Sequence, residues 1–364
     1  MKKTILILIA WAVAASAHAF SFSVITTSGQ TLYFTITDGT NVKVVAPATV
    51  SWNGYTAPSG ALTIPAIVPH NGTTYHVTAI DRMAFQGCQE LTSVDIPGSV
   101  ESIGQRAFAD ATALAYANLH EGVQRIDMMA FYSCTALQTI VLPSTLTRIA
   151  VSAFENTAYY NTNANWTDGK MLMLGQWLIK VGNLTSDTLH VPEGIRGVAN
   201  NAFLYCRYID KVVLPSSMHI IGDGAFKDCY SLDTLQLHCT QPPLLSDDSF
   251  EGVEPLPVLV VPCSTAANYA AAQYWSAFTI DEEPCPVVGI DDIALDRHSL
   301  MATPTVGGIT VSGAEGLSLT VCDITGRTLY RIAQASAVQH LPLPTAGIYM
   351  LLASDGRAIK LVKF

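Results

Sequence analysis

Charge is scarce in this chain. Only 13% of its 364 residues are charged, and 19 Lys and Arg face 29 Asp and Glu, for a formal net charge of −10. There is no basic run. That excludes the electrostatic footprint of a nucleic-acid-binding protein or of one drawn to anionic membrane surfaces. Signatures of catalysis are missing too: no Gly-x-Ser-x-Gly, no His-Glu-x-x-His, no phosphate-cradling glycine loop and no Cys-x-x-Cys. No segment is apolar for long enough to cross a bilayer. With 49% hydrophobic residues, disorder is disfavoured and a large core is available. The length suits an elongated repeat array plus a small module.

The first residues have the pattern of an export signal. Lys2 and Lys3 precede an apolar stretch from Ile5 to Ala15, followed by Ala17-His18-Ala19. A positive start, a short apolar segment and a small-x-small site mark a signal peptide, residues 1–19, cut after Ala19. No cysteine follows the cut, which argues against a lipid anchor.

One apolar pattern recurs along the chain. Phe85, Phe108, Phe131 and Phe154 are each preceded by Ala and stand 23 residues apart, as do Phe203 and Phe226. Ile80, Ile103, Ile126, Ile149, Val198 and Ile221 hold the position five before each Phe. Leu91, Leu114, Leu137, Ile209 and Leu232 hold the position six after. Each unit closes on a Val-x-Leu alternation, usually followed by Pro. The alternation predicts a short strand with one buried face, and the Ala-Phe segment a short helical or irregular turn. One unit cannot bury its own apolar face, whereas stacked units can, at roughly 4.8 Å per rung. The expected architecture is an α/β-type repeat solenoid with a parallel strand ladder along one side, over residues 77–280.

The rest divides around that array. Residues 20–76 read as a β-rich cap over its first unit. Residues 157–185, with Tyr159, Tyr160, Trp166 and Trp177, break the period and read as an inserted hairpin-like unit projecting from the ladder. Ser264 to Phe278 reads as a capping helix at the far end. A linker at 281–297 leads to residues 298–364, whose short strands and turns predict a small β-sandwich.

The unit Ile-x(4)-Phe-x(2)-Cys-x(2)-Leu-x(2)-Val-x-Leu-Pro resembles the BspA-like, or treponemal, class of leucine-rich repeats. The resemblance covers about 24–280 and implies a surface or secreted bacterial protein, with adhesion to proteins as the role of its characterised members. The C-terminal segment resembles the sorting domain of the type IX secretion system of Bacteroidota. That likeness rests on Asp323, Gly326, Arg327, Gly347, Tyr349 and Lys360 in their sequence context. It implies passage through that secretion machinery by way of residues 289–364, and display outside the cell.

No catalytic constellation, metal site or cofactor is expected. His120, His190 and His238 fall at related repeat positions, but not in consecutive units and without a carboxylate set. Cys88, Cys134, Cys206 and Cys229 sit three after the repeat Phe and read as buried apolar fillers. Cys206 and Cys229, one unit apart, leave a bridge geometrically open. Cys239 and Cys263, at the ends of the last strands, are the favoured disulfide. Tyr159, Tyr160, Trp166 and Trp177 are the candidate binding residues, either exposed anchors on the insert or packed against the ladder. The polar strand positions Ser93, Asp95, Gln138, Lys211, Asp233 and Gln236 form a flat face. Three readings follow: a monomeric adhesion solenoid for an extracellular protein, a glycan- or nutrient-capture protein working through the insert aromatics, and, last, an enzyme on a repeat scaffold.

Overall fold

The repeat phenylalanines form a spine. In the computed structural model the rings of Phe85, Phe108, Phe131 and Phe154 stack face to face, 5.0, 5.1 and 5.6 Å between successive centres. A second run joins Phe203, Phe226 and Phe250 at 4.5 and 4.8 Å. All six expected core phenylalanines are buried. The structure describes residues 20–182, 188–285 and 300–363, apart from 306–307, 344, 346 and 356–357. The expected signal segment 1–19 and most of the expected linker lie outside the described residues. The chain divides into two compact units, Met1–Cys285 and Pro286–Phe364.

Each repeat contributes two strands, so the first unit carries two parallel ladders rather than one. Leu91–Ile96, Tyr116–Leu119 and Thr139–Val141 form the expected ladder, with Val94 opposite Ala117 and Ala117 opposite Ile140. The isoleucine row forms another: Thr73–Ile80, Ser102–Ile103, Arg125–Ile126 and Arg148–Ile149, with Ile on Ile throughout. Its two-residue rungs are too short to show alternation in the sequence. The Ala-Phe segment is a tight turn rather than a helix. Its backbone bonds to the next unit, the Phe85 N–H donating to the Ala107 carbonyl and the Phe108 N–H to that of Ala130. Two left-handed residues shape each such turn, two before and two after the Phe, as at Met83 and Gly87 (φ 55° and 71°).

The ends of the array are covered as a solenoid requires. Phe22–Ile25, Thr31–Ile36 and Asn41–Val45 form an antiparallel meander, and its last strand pairs in parallel with Thr73–Ile80. The Trp52 indole stacks on Phe85 and donates to the Ala84 carbonyl. At the far end Ile280–Glu282 pairs with Val258–Val261, so the solenoid runs beyond 280 into the expected linker. The capping helix is shorter than expected, Ala266–Ala271, followed by a single 3-10 turn at Trp275–Ala277. Tyr274, left-handed at φ 66°, separates the two.

The insert does not project. Met171–Leu174 and Trp177–Val181 form an antiparallel hairpin, and the second strand pairs in parallel with Gly197–Val198. The hairpin thus supplies the rung on which the second block of the short ladder begins. Here the core divides as well: Phe154 belongs to one apolar cluster and Phe203 to the next.

The second unit has two sheets around a shared core that includes Ile309, Val311, Val321 and Leu351. Met301–Thr305, Gly308–Ser312 and Val338–Pro342 make one; Thr328–Ile332, Leu319–Asp323, Gly347–Ala353 and Ala358–Lys363 make the other. All their pairings are antiparallel.

Candidate binding surfaces

Three surfaces can present side chains to a partner. The first is the insert, where the sequence placed its candidates. The structure brings Tyr160 and Trp166 together, leaves Tyr159, Tyr160 and Trp166 partly buried and puts Trp177 in the core. Tyr159 is half-buried and its hydroxyl donates to the Met173 carbonyl at 2.6 Å. The Trp166 indole N–H donates to the Tyr160 carbonyl, and the Trp166 and Tyr160 rings meet edge to face at 5.5 Å. Burial pushes both tyrosine hydroxyls above their ordinary pKa. Trp177 is core, 4% exposed, lying over the backbone of Gly197. It is no exposed anchor, because the hairpin that carries it is a rung of the ladder.

The second surface is the long ladder's outer face. Two of its histidines pair with carboxylates of other rungs, one rung away for His120 and two for His238. His120 meets Asp95 at 2.9 Å, and Asn118 donates to the same carboxylate at 2.7 Å. In the second block His238 approaches Glu283 at 3.6 Å and Gln236 donates to that carboxylate. These polar sets tie rungs to each other. Among the described residues no group of three or more His, Cys, Asp or Glu is placed to hold a metal ion.

Buried thiols behave as fillers. Cys134 and Cys229 donate to the carbonyls of Phe108 and Phe203 in the preceding units, and burial pushes Cys88, Cys134 and Cys229 up to about 12 and Cys206 to about 11. The disulfide is not Cys239–Cys263 but Cys263–Cys285, with 4.8 Å between Cα atoms. Register explains the difference. Val261 lies opposite Glu282, so the residues just beyond these strands run side by side. Cys239 flanks the same position on the other side, but it is buried, its thiol 3.2 Å from the Tyr269 hydroxyl.

The third surface was missed by sequence reasoning. Tyr205, Tyr208 and Tyr230 lie on the turn edge of two consecutive units and are 52, 69 and 57% exposed. Arg207 sits against two of them, its guanidinium carbon 5.4 Å from the Tyr205 ring centre and 5.6 Å from that of Tyr230. Arg207 and Tyr230 are equivalent positions, four after Phe203 and Phe226, where the first three repeats carry Gln89, Thr112 and Thr135. Tyr205 stands two after Phe203. The equivalent residues are Gly87, Asp110, Ser133, Asn156, Asp228 and Gly252, all left-handed and all small, five of them Gly, Asn or Asp, which bear a positive φ well. Tyr205 takes the same conformation at φ 62°. A bulky aromatic where the repeat otherwise selects small residues was the signal in the sequence.

The residues singled out in the C-terminal unit form a turn and its surroundings. Asp323 Oδ1 accepts from the Thr325 hydroxyl and from the Thr325 and Arg327 N–H groups, which hold its pKa below the usual carboxylate value. Gly326 is left-handed at φ 82°, and Arg327 folds back to 3.4 Å from Asp323. The Tyr349 hydroxyl donates to the Thr345 carbonyl, Gly347 begins the same strand, and Lys360 pairs in register with Met350.

Stacked parallel ladders with a phenylalanine spine and covered ends define a leucine-rich-repeat solenoid with little helix. The chain belongs to the BspA type leucine rich repeat family, whose model matches six copies over residues 72–167 and 181–269, more than half of the chain. Solved structures are similar to parts of it. A leucine-rich repeat protein from Bacteroides capillosus is 29% identical over 38% of this chain and 95% of its own, with a TM-score of 0.32. The T. pallidum leucine rich repeat protein is 23% identical over 60% of this chain and 69% of its own, TM-score 0.27. A leucine rich cell surface protein from Faecalibacterium prausnitzii is 20% identical over 73% of this chain and 96% of its own, TM-score 0.23. No curated protein matches the chain. Among the described residues no helix is long and apolar enough to cross a membrane.

Proposed function

We propose that this chain is a secreted, surface-displayed adhesion solenoid of a Bacteroidota-type bacterium, binding other proteins as a monomer and performing no catalysis. The observation that carries the reading is the exposed Tyr205–Arg207–Tyr208–Tyr230 cluster. Tyr and Arg are enriched among the residues that dominate the energetics of protein interfaces: Tyr brings large contact area with a polar tip, and Arg a planar fork of donors. Family membership supports a scaffold role, since repeat ladders present extended faces to partners. The Cys263–Cys285 disulfide suits an oxidising destination. In this reading residues 1–19 are the export signal and residues 289–364 address the chain to the type IX machinery. Glycan capture through the insert has little to stand on, because Trp177 is buried and Tyr159 and Trp166 spend their polar atoms inside the fold.

Two measurements test this. The first is the location and mass of the mature chain in its native cells, with and without residues 289–364. Surface exposure that depends on that segment supports the reading; a full-length periplasmic product in both cases overturns it. The second compares beads coated with the full chain and with a Tyr205→Asn/Tyr208→Ser/Tyr230→Ser variant for adhesion to epithelial and bacterial surfaces. Equal retention removes the tyrosine cluster as the binding site.

A further inference from the structure

Arg207 is a cation held in place without an anion. Among the described residues the ion pairs of the structure leave it out. The carboxylates of the same turn edge have other partners: Asp228, beside the cluster, accepts from the Tyr230 hydroxyl, and Glu251 pairs with Lys227. Two phenol rings bracket the guanidinium. Cation–π contacts of this kind restrict the side chain, and among the described residues no acceptor takes its side-chain N–H donors. A guanidinium so prepared suits the two-oxygen fork of a carboxylate.

The surroundings narrow the occupant further. Three exposed tyrosines offer apolar contact that a hydrophilic polyanion does not use. A single guanidinium is a poor match for a sulfated glycan or an acidic tract, and the formal charge of −10 repels polyanions at long range. The fitting partner brings one carboxylate with apolar residues on either side. We propose that the Tyr205–Arg207–Tyr208–Tyr230 edge is a receptor for a peptide segment of a partner protein bearing one carboxylate flanked by apolar side chains. The carboxylate pairs with Arg207, and the flanking side chains pack on the tyrosines. This rests on the protein-binding reading and names the chemistry of its partner.

The backbone at Tyr205 is an independent argument. An L-residue in the left-handed region is strained, least for Asn and Asp, and Gly bears it freely. Six equivalent turns use Gly, Asp, Ser or Asn at this place, and this one carries an aromatic ring. A half-exposed ring buries too little surface to require a tyrosine there for folding. Its position beside Arg207 is what the residue provides.

The test uses the full chain and capped pentapeptides with one glutamate between two phenylalanines. A glutamine version removes the charge, and a glutamine version with a free C-terminus moves the carboxylate to the main chain. Binding is followed by calorimetry and by chemical shifts of the tyrosine rings. The expected result is binding of the glutamate peptide at least tenfold tighter than of its glutamine counterpart. Arg207→Ala is expected to abolish that preference, and Arg207→Lys to reduce it. Tyr205→Asn, which keeps the turn, is expected to weaken binding severalfold. If the free-C-terminus peptide binds as well as the glutamate peptide while the capped glutamine peptide does not, the carboxylate specificity stands and its source is the chain end. Equal binding of glutamate and glutamine peptides overturns the carboxylate seat. Binding only of a sulfated oligosaccharide, lost in Arg207→Ala, overturns the peptide occupant. Bead adhesion that depends on the tyrosines but not on Arg207 sinks this proposal alone; adhesion indifferent to both sinks it and also removes the tyrosine cluster as the binding site of the parent reading.

Discussion

Trp177 lies flat over Gly197, so close that a methyl group at Gly197 would stand 2.6 Å from the indole ring. The two residues are also partners in the parallel pairing that joins the inserted hairpin to the second block. The contact therefore fastens the irregular part of the solenoid to the regular part. Gly197→Ala is expected to destabilise the chain by about 1–3 kcal/mol, as overpacking does. Trp177→Ala leaves a cavity and is expected to cost about 3–5 kcal/mol. In a Trp177→Leu background Gly197→Ala should cost less, since the clash partner is smaller. Urea denaturation of the four chains measures this; strict additivity would show that the contact is incidental.

Tyr205→Asn is expected to leave stability unchanged or higher. Relief of the left-handed backbone contributes about 1 kcal/mol, while loss of one exposed cation–π contact removes about 0.5–1 kcal/mol. Thermal melts decide it. A drop equivalent to more than about 1 kcal/mol would mean the ring is a packing residue, and the strain argument would lose its force.

Thiol labelling reports on the cysteines. Alkylation needs the thiolate, and burial holds Cys88, Cys134, Cys206 and Cys229 near 11–12. The native chain is expected to label at Cys322 alone, and after mild reduction also at Cys263 and Cys285. Cys285→Ser should destabilise the far end of the solenoid by about 3 kcal/mol, the chain-entropy figure for a loop of this size. Hydrogen exchange localises the effect: faster exchange confined to the region around Ile280–Glu282 is expected, and uniform acceleration would contradict it.

Two glutamates bracket neighbouring rungs alike. Glu121 accepts from the Ser144 N–H at 2.8 Å and hydroxyl at 3.0 Å, and Glu193 accepts from the same groups of Ser216, both at 3.0 Å. The backbone N–H bonds lead in pulling both pKa values below the usual 4.5. A depressed carboxylate stabilises the fold above its unfolded pKa, and the contribution is lost as pH falls through the folded value. The melting temperature should therefore decline below about pH 4.5, and Glu121→Gln/Glu193→Gln should flatten that decline. An unchanged slope in the double variant would assign acid sensitivity to other groups.

Much of the solenoid was legible because its signal is large side chains at a fixed interval. Phe85 to Phe226 announced the spine, and the Val-x-Leu alternation announced the long ladder. The second ladder was hidden in plain isoleucines, since two-residue rungs such as Arg125–Ile126 carry no periodicity. Trp177 looked like an anchor because it broke the repeat; what the sequence could not show is that its strand pairs with Gly197–Val198. Cys239 and Cys285 both flank Cys263, and only the direction of each side chain separates them. The tyrosine edge was readable in principle, as a departure at Tyr205 from six small residues, but it requires knowing that the position is left-handed.

Each regular rung offers to the next the same surface it accepts from the one before: Ile80, Ile103, Ile126 and Ile149 lie in one column, and Arg125 lies opposite Arg148. Excising the 23 residues between equivalent points, such as Phe108 and Phe131, joins two surfaces that already fit. Genes for such a chain can lengthen or shorten by whole rungs through ordinary slippage, altering the protein's reach by roughly 4.8 Å each time without a new folding problem. The segment between Phe154 and Phe203 has no such licence, since its hairpin matches only its own neighbours. Length variation among descendants of this gene is thereby channelled into the two regular blocks, and the hairpin between them is the part that inheritance must keep whole.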